Sequence, residues 1–354
     1  MCSNYIYVIG AMSGTSIDGL DLSLVKFDKN IHSNYKIINT YTYDYSNSWI
    51  SKLKNSIHCD KKELRKLDVE YGNYIGDKIN TFIKECGNIK IDIISSHGHT
   101  VHHKPNQGIT YQIGNGKSIL EKTKCNVVCN FRIQDVKLGG QGAPLVPIGD
   151  LNLFSDYKYC LNIGGFCNIS IKKDKTINAF DISPANTVLN YYSNKLGYDY
   201  DINGELSKKG NINYKLLSKL NRMDFYKISG PKSLGIEYVN EKVIPLIKSY
   251  SINNYDILMT YIEHISYQIK KSIKEKKDDK ILITGGGVYN KTLVQKIEDK
   301  VECKIIIPKK DIIEHKESLI FAYLGFLKYY NKINCLSNVT GARKDHSSGF
   351  VYKF

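Results

Sequence analysis

Three times along this chain an apolar run stops at a glycine-rich turn. Ile6 to Ile9 breaks at Gly10. Ser13, Gly14, Thr15, Ser16, Ile17, Asp18, Gly19, Leu20 and Asp21 follow, and an apolar pattern resumes at Leu22, Leu24, Val25 and Phe27. "YKYCLNIGGFCNISIKK" places Gly164 and Gly165 between two further apolar runs, and "KILITGGGVYN" ends a third on Gly285, Gly286 and Gly287. Glycine lets backbone N–H groups approach an anion closely, and nests of such donors bind phosphate without lysine. One such turn reads equally well as a tight hairpin. Three at strand ends point to a nucleotide.

The rest of the pattern makes the chain α/β, with strands alternating with helices. Leu64, Leu67, Tyr71, Ile75, Ile79, Phe82 and Ile83 share one helical face, as do Leu258, Tyr261, Ile262, Ile265, Ile269 and Ile273. "ESLIFAYLGFLKYY" reads as a final buried helix. The strand, turn, strand pattern of the opening recurs about 150 residues later, which suggests an internal duplication without sequence identity to support it. The Gly/Pro loop "LGGQGAPLVPIGD" suggests a domain boundary.

Several nucleotide folds and partners are excluded. No G-x-G-x-x-G follows a strand, so a dinucleotide fold is unsupported. "GNGKS" imitates the end of a Walker A loop, but Tyr111 stands where the first glycine belongs. The acids of the first turn do not have EF-hand spacing. The net charge of +15 is scattered rather than gathered in a stripe, so no nucleic acid is expected. Nine cysteines without a CxxC pair read as free thiols in a reducing compartment. No segment approaches a membrane span and no secretory leader is seen, so a cytoplasmic location is expected.

What remains is a hairpin turn with hydroxyls suited to a triphosphate, and with Asp18 and Asp21 near enough to hold a hydrated Mg²⁺. "SSHGHTVHHKP" gathers His97, His99, His102 and His103; a metal site is one reading, though no carboxylate or cysteine joins them locally, and the favoured one makes His97 polar lining of a substrate cleft and His102 and His103 surface residues. In "FDISPAN", Asp181 ends the strand Ile177 to Phe180 just ahead of a helix entered through Pro184. Such a carboxylate either faces a cleft or caps the helix. Glu317, opening the last helix, carries the same ambiguity, since an acid there complements the helix dipole.

At this point the residues match a family. "GAMSGTSIDGLD", "SSHGHTVHHKP", "TYQIGNG", "NFRIQDVKLGGQGAPLVP", "LNIGGFCNIS", "FDISPAN", "PKSLG", "TGGGVYN" and "SNVTGA" together resemble the 1,6-anhydro-N-acetylmuramic acid kinase family, in family order over nearly the whole chain. The resemblance implies the actin-like sugar-kinase ATPase fold, with two α/β domains of mixed sheets around an ATP cleft. The domains would be 1–140 and 141–354, with room for the last residues to pack back on the first. It assigns Gly14, Thr15, Ser16, Ile17, Asp18, Gly19, Leu20 and Asp21 to the first phosphate loop, with Asp18 toward Mg²⁺. Gly164 and Gly165 match the second phosphate turn, and Gly285, Gly286, Gly287 and Asn290 the adenosine side.

The implied reaction uses ATP and water to open the anhydro bridge and phosphorylate O6, in peptidoglycan recycling, by an enzyme that forms a homodimer. Asp181 holds the place of the family's general base; His97, Arg132, Asp135 and Glu317 are assigned to the sugar. The chain departs from the family pattern at Asn130, Ile182, Ser183, Ala185, Leu234 and Ile236, which puts loop shape and substrate contacts in question. A kinase of another sugar on the same fold, or a non-catalytic actin-like ATP-binding protein, are the alternatives.

Overall fold

The computed structural model describes every residue except 1–3, 15, 175, 229, 231 and 275. The chain divides into two compact units, residues 1–153 with 315–354, and residues 154–314. The sequence reading placed the boundary at 140/141; here the helix Pro147–Leu153 stays with the first unit. The reason is its packing on the long helix Lys310–Tyr329. Lys316 Nζ lies 2.7 Å from Asp150 Oδ1 in a buried ion pair, and a side chain on Gly149 would overlap Ile320. Residues 315–354 return to the first unit, and the long helix is kinked at His315 (φ −117°, ψ 20°), where the chain leaves the second.

The strands are β1 (Tyr5–Ser13), β2 (Gly19–Asp28), β3 (Tyr35–Asp44), β4 (Ile93–Ser96), β5 (His99–Lys104), β6 (Ile109–Ile113) and β7 (Asn126–Cys129), then β8 (Tyr159–Ile163), β9 (Phe166–Lys173), β10 (Thr176–Pro184), β11 (Lys280–Thr284), β12 (Lys304–Ile306) and β13 (Phe350–Tyr352). In the first unit the main sheet runs β13-β7-β4-β1-β2-β3. β1, β2 and β3 form an antiparallel meander, and β4 and β7 run parallel to β1. In the second unit the order is β10-β9-β8-β11-β12, again an antiparallel meander followed by two parallel strands. Set β13 aside and the two sheets have one topology. The duplication suggested by the repeated strand, turn, strand is therefore present in the strand order, and the fold is a doubled α/β fold with mixed sheets.

The sequence explains these elements. β1, β4 and β8 sit in sheet interiors and are buried along most of their length, so they read as continuous apolar runs. The helix Lys61–Glu85 opens on a capping box between Asp60 and Glu63 and buries Leu64, Leu67, Tyr71, Ile75, Ile79 and Phe82. The helix Asn254–Ser272 buries Leu258, Tyr261, Ile262, Ile265 and Ile269 in the core of the second unit. Cys59, Cys86, Cys125, Cys129, Cys167 and Cys335 are free thiols. Among the described residues no helix is long and apolar enough to cross a membrane.

The closest backbone approach in the first unit is at Gly10, in the middle of β1. A Cβ there would overlap the Ser318 carbonyl oxygen and stand 2.7 Å from the Ala322 amide nitrogen. Both belong to the backbone of the long helix, which cannot yield as a side chain tip can. Gly10→Ala should therefore destabilise the protein by about 3 kcal/mol, the upper end of overpacking penalties, read as a lower denaturant midpoint. An unchanged midpoint would show that the helix has room to retreat.

Candidate active site

In the second unit, Asp181 lies inside β10, where the pairing with β9 shifts register between Asp181 and Ser183. It caps no helix: the following helix, Asn186–Asn194, has Ala185 at its N-cap and no side-chain cap bond. The backbone N–H of Leu234 donates to Asp181 Oδ2 at 2.8 Å, and Asp181 N–H donates to the Lys232 carbonyl at 2.9 Å. Among the described residues Oδ1 has no hydrogen-bond partner. Burial pushes this carboxyl above its ordinary value, against the pull of the Leu234 N–H.

Gly164 and Gly165 form the β8–β9 turn. The turn is fixed to the start of the helix after β10: the Gly165 carbonyl accepts from Ala185 and Thr187 N–H, and the Gly164 carbonyl from Asn186 N–H. A Cβ on Gly164 would make only ordinary contacts, with Asn162 and Phe166, whereas one on Gly165 would crowd the Thr187 hydroxyl at 2.9 Å. After β11, Gly285 adopts φ 85° and, like Gly287, presses on Ile163 at the end of β8. Gly286 is the open member of the three. Asn290 is occupied locally. Its Oδ1 accepts from Leu293 N–H at 2.9 Å as a helix cap, and its Nδ2 points to Asp201 at 3.4 Å.

In the first unit, the β1–β2 turn is closed by Ile17 N–H donating to the Gly14 carbonyl at 3.3 Å. Thr15 lies outside the described residues. Ile17 holds φ 59°, a left-handed conformation that β-branched residues adopt only under strain of about 1–3 kcal/mol. Gly19 and Leu20 already belong to β2 and are buried, while Ser16 and Asp18 are exposed. Asp21 accepts a 2.6 Å hydrogen bond from the Thr42 hydroxyl. Burial raises its pKa; among the charges, His315 lowers it while Glu317 and Asp18 raise it. Asp18, Asp21 and Glu317 thus form one negative field.

A buried polar network underlies this turn. Tyr45 OH donates to Ser13 Oγ at 2.8 Å, Ser13 Oγ meets His99 Nδ1 at 3.1 Å, and Tyr45 and Tyr71 share a hydroxyl bond. Burial lowers His99 to about 4, so it is neutral. The sequence names Ser13 in the first turn, His99 among four histidines and Tyr71 as a helix-face residue; nothing in it marks Tyr45 or joins the four.

His97, Arg132 and Asp135 meet at the ends of β4 and β7. Arg132 Nε donates to His97 Nε2 at 3.0 Å, and Arg132 NH1 donates to the Gly142 carbonyl at 2.6 Å. Since His97 Nε2 accepts, the ring proton sits on Nδ1, 2.9 Å from the Gly98 carbonyl. Burial, then the Arg132 charge, holds His97 well below its ordinary value. His97 is therefore a fixed neutral acceptor that orients Arg132. Burial lowers Arg132 to about 10, so it stays cationic, with Glu317 the largest charge favouring that state. Glu317 reaches solvent but is crowded by protein, which raises its pKa, while Arg132 and Lys316 pull it down. Asp135 is fully buried and fully used. Oδ2 accepts from Gly142 N–H at 2.6 Å, and Oδ1 from the Thr340 hydroxyl at 2.7 Å and the Cys335 thiol at 3.1 Å. It holds the loop that carries Gly142. His102 and His103 join no metal-ligand group among the described residues.

The departures from the family pattern separate by position. Ile182, Ser183 and Ala185 are buried in the second unit, two of them within its apolar core. Asn130 takes φ 60°, which asparagine tolerates, and Ile236 is exposed. The His97 arrangement has a spectroscopic signature. Heteronuclear NMR of the imidazole nitrogens should find His97 as the neutral Nδ1–H tautomer through pH ~6.5, where an ordinary imidazole is half protonated. A normal titration there would break the assigned Arg132–His97 bond.

The family model described as Anhydro-N-acetylmuramic acid kinase matches residues 6–354. The chain is 30% identical over 371 residues to the anhydro-N-acetylmuramic acid kinase of Bacillus thuringiensis subsp. konkukian, covering 96% of this chain and 97% of that one. It is 30% identical over 378 residues to the enzyme of the same name from a strain of Bacillus cereus, covering 98% and 99%. The solved component A of (R)-2-hydroxyglutaryl-CoA dehydratase from Acidaminococcus fermentans aligns over 92% of this chain and 99% of its own, with 12% identity and a TM-score of 0.47. With sequence likeness running end to end through both units and all the motifs placed above, the chain belongs to the anhydro-N-acetylmuramic acid kinase family.

Proposed function

We propose that this enzyme uses ATP and water to open the 1,6-anhydro bridge of 1,6-anhydro-N-acetylmuramic acid and to phosphorylate O6, giving N-acetylmuramic acid 6-phosphate. The observation that carries the role of this chain's residues is Asp181: a carboxylate in a strand bulge, held by one backbone N–H, capping nothing, with its second oxygen without a partner among the described residues. As general base it takes a proton from the water that attacks C1. The C1–O6 bond breaks with its electron pair on O6, and O6 takes the γ-phosphoryl group as ADP leaves. The proton on Asp181 then returns to solvent. No covalent enzyme intermediate is needed.

The Leu234 N–H fixes the carboxylate, and raised basicity suits a group that must accept a proton. The uncrowded backbone at Gly14, Gly164 and Gly286, where a Cβ would meet nothing closer than 3.4 Å, supports contact with phosphates and nucleoside. Asp18 and Asp21 fit Mg²⁺: Asp18 is exposed, and Asp21, raised first by burial, also faces the like charges of Glu317 and Asp18, which a cation relieves. Bound there, Mg²⁺ neutralises charge on the phosphates. Arg132, oriented by His97, and Glu317 are the residues we assign to the sugar and its lactyl group. The resemblance further supports a cytoplasmic homodimer in peptidoglycan recycling.

Asp181→Asn should lower kcat by about 10²–10⁴-fold, the usual worth of a general base, with nucleotide affinity and melting temperature near wild type. The base works only when ionised. Its raised pKa means that kcat falls on acidification at a higher pH than an ordinary aspartate, near 3.8, would give. The measurement is kcat for anhydro-sugar phosphorylation across pH. A folded, ATP-binding variant with wild-type kcat removes Asp181 from the mechanism.

A further inference from the structure

In the first unit, behind Arg132, three groups of metal-binding chemistry converge: the Asp135 carboxylate, the Cys335 thiol and the His346 imidazole. They come from the helix Ile133–Lys137 and from the C-terminal segment, where Cys335 and His346 face each other across a backbone bridge. All three are buried, at 0%, 1% and 6% exposure. One ligand atom from each lies within 4.8 Å of the other two. His346 Nε2 is 3.5 Å and Cys335 Sγ 3.1 Å from Asp135 Oδ1. A tetrahedral zinc with bonds of about 2.0–2.3 Å sets its ligand atoms about 3.3–3.6 Å apart.

The imidazole makes the case sharper. His346 Nδ1 lies 3.1 Å from the Lys344 carbonyl, which can only accept, so Nδ1 carries a proton. Nε2 is buried and makes no hydrogen bond among the described residues. Nε2 faces the Asp135 carboxylate oxygen across 3.5 Å without bonding to it, a gap that a metal ion bound to both would fill. A metal-bound histidine commonly donates its other N–H to a backbone carbonyl, and a ligating carboxylate is itself hydrogen-bonded. Lys344, Thr340 and Gly142 fill those outer places here.

We propose that Asp135, Cys335 and His346 form a structural site for zinc that fastens the C-terminal segment to the loop holding Arg132. Mixed sulfur, nitrogen and oxygen donors suit Zn²⁺ over Mg²⁺ or Ca²⁺. A carboxylate, a thiolate and a neutral imidazole make the loaded site electrically neutral, which favours burial. On binding, the S–H proton of Cys335 passes to solvent and the sulfur electron pair bonds the metal. Three protein ligands leave the fourth position to a water, so this site differs from the closed four-ligand structural sites and its role is to fasten, not to react.

The test uses the full chain, wild type and with Cys335→Ser or His346→Gln, zinc being counted by mass spectrometry after gel filtration and Co²⁺ used as an optical probe. Wild type should hold about one zinc per chain and give a thiolate-to-cobalt charge-transfer band, with zinc affinity at least about tenfold weaker in either variant. Should a variant not fold, wild type alone decides: a chelator should lower its melting temperature and added zinc restore it. Wild type without zinc, without the cobalt band and with a melting temperature indifferent to chelator would overturn the proposal and leave an imidazolium–carboxylate pair. Zinc bound equally by wild type and both variants would overturn it too.

Discussion

Gly10 lets the backbone of the helix Lys310–Tyr329 rest on the middle of β1, and the layout of the first unit depends on that contact. Around it, Ser23 and Ser318 share a buried 2.6 Å hydroxyl bond, and the Ser95 hydroxyl donates to the Phe321 carbonyl. Glu317 precedes Ser318 directly, so the contact that seats the helix also sets where its acid stands relative to Asp21. The helix is apolar all round from Leu319 to Leu327, because it is covered on every side.

The negative field of Asp18, Asp21 and Glu317 and the positive charge of Arg132 divide the first unit chemically. A triphosphate alone would meet repulsion at the first turn, and a divalent cation reverses the sign. Arg132 is presented as a fixed donor, because one neighbour is a neutral histidine and the other a carbonyl. Neither partner competes for its charge as a carboxylate would. In the proposed reaction that leaves the cation available to an acidic sugar substituent.

Much of the fold could be read in the sequence, because interior strands leave unbroken apolar runs and helices leave faces. β3 could not: it is an edge strand of alternating, mostly half-exposed residues, "YKIINTYTYD", with too little burial to mark it. Asp181 looked like the end of a strand, since its strand continues through a bulge that no periodicity encodes. The glycine turns were visible by composition, but composition could not tell Gly286, which is open, from Gly285 and Gly287, which pack on Ile163. Two partners of Asp135, Cys335 and Thr340, lie about 200 residues away in sequence, so nothing local announces that its carboxylate is fully engaged. Ile182 and Ala185 read as altered loop residues, yet they fill the core beneath β10.

The route of the chain has a consequence for biosynthesis. Residues 154–314 are contiguous, so the second unit has its whole sheet and core once residue 314 has left the ribosome. The first unit is begun earlier and finished later. Its sheet lacks the edge strand β13, and β1 lacks the helix that covers Gly10, until the last forty residues emerge. During that interval the face of β1 that the last helix covers stands exposed. The first unit, although begun first, is thus the last to bury its apolar surface, the condition in which a nascent chain is prone to aggregate.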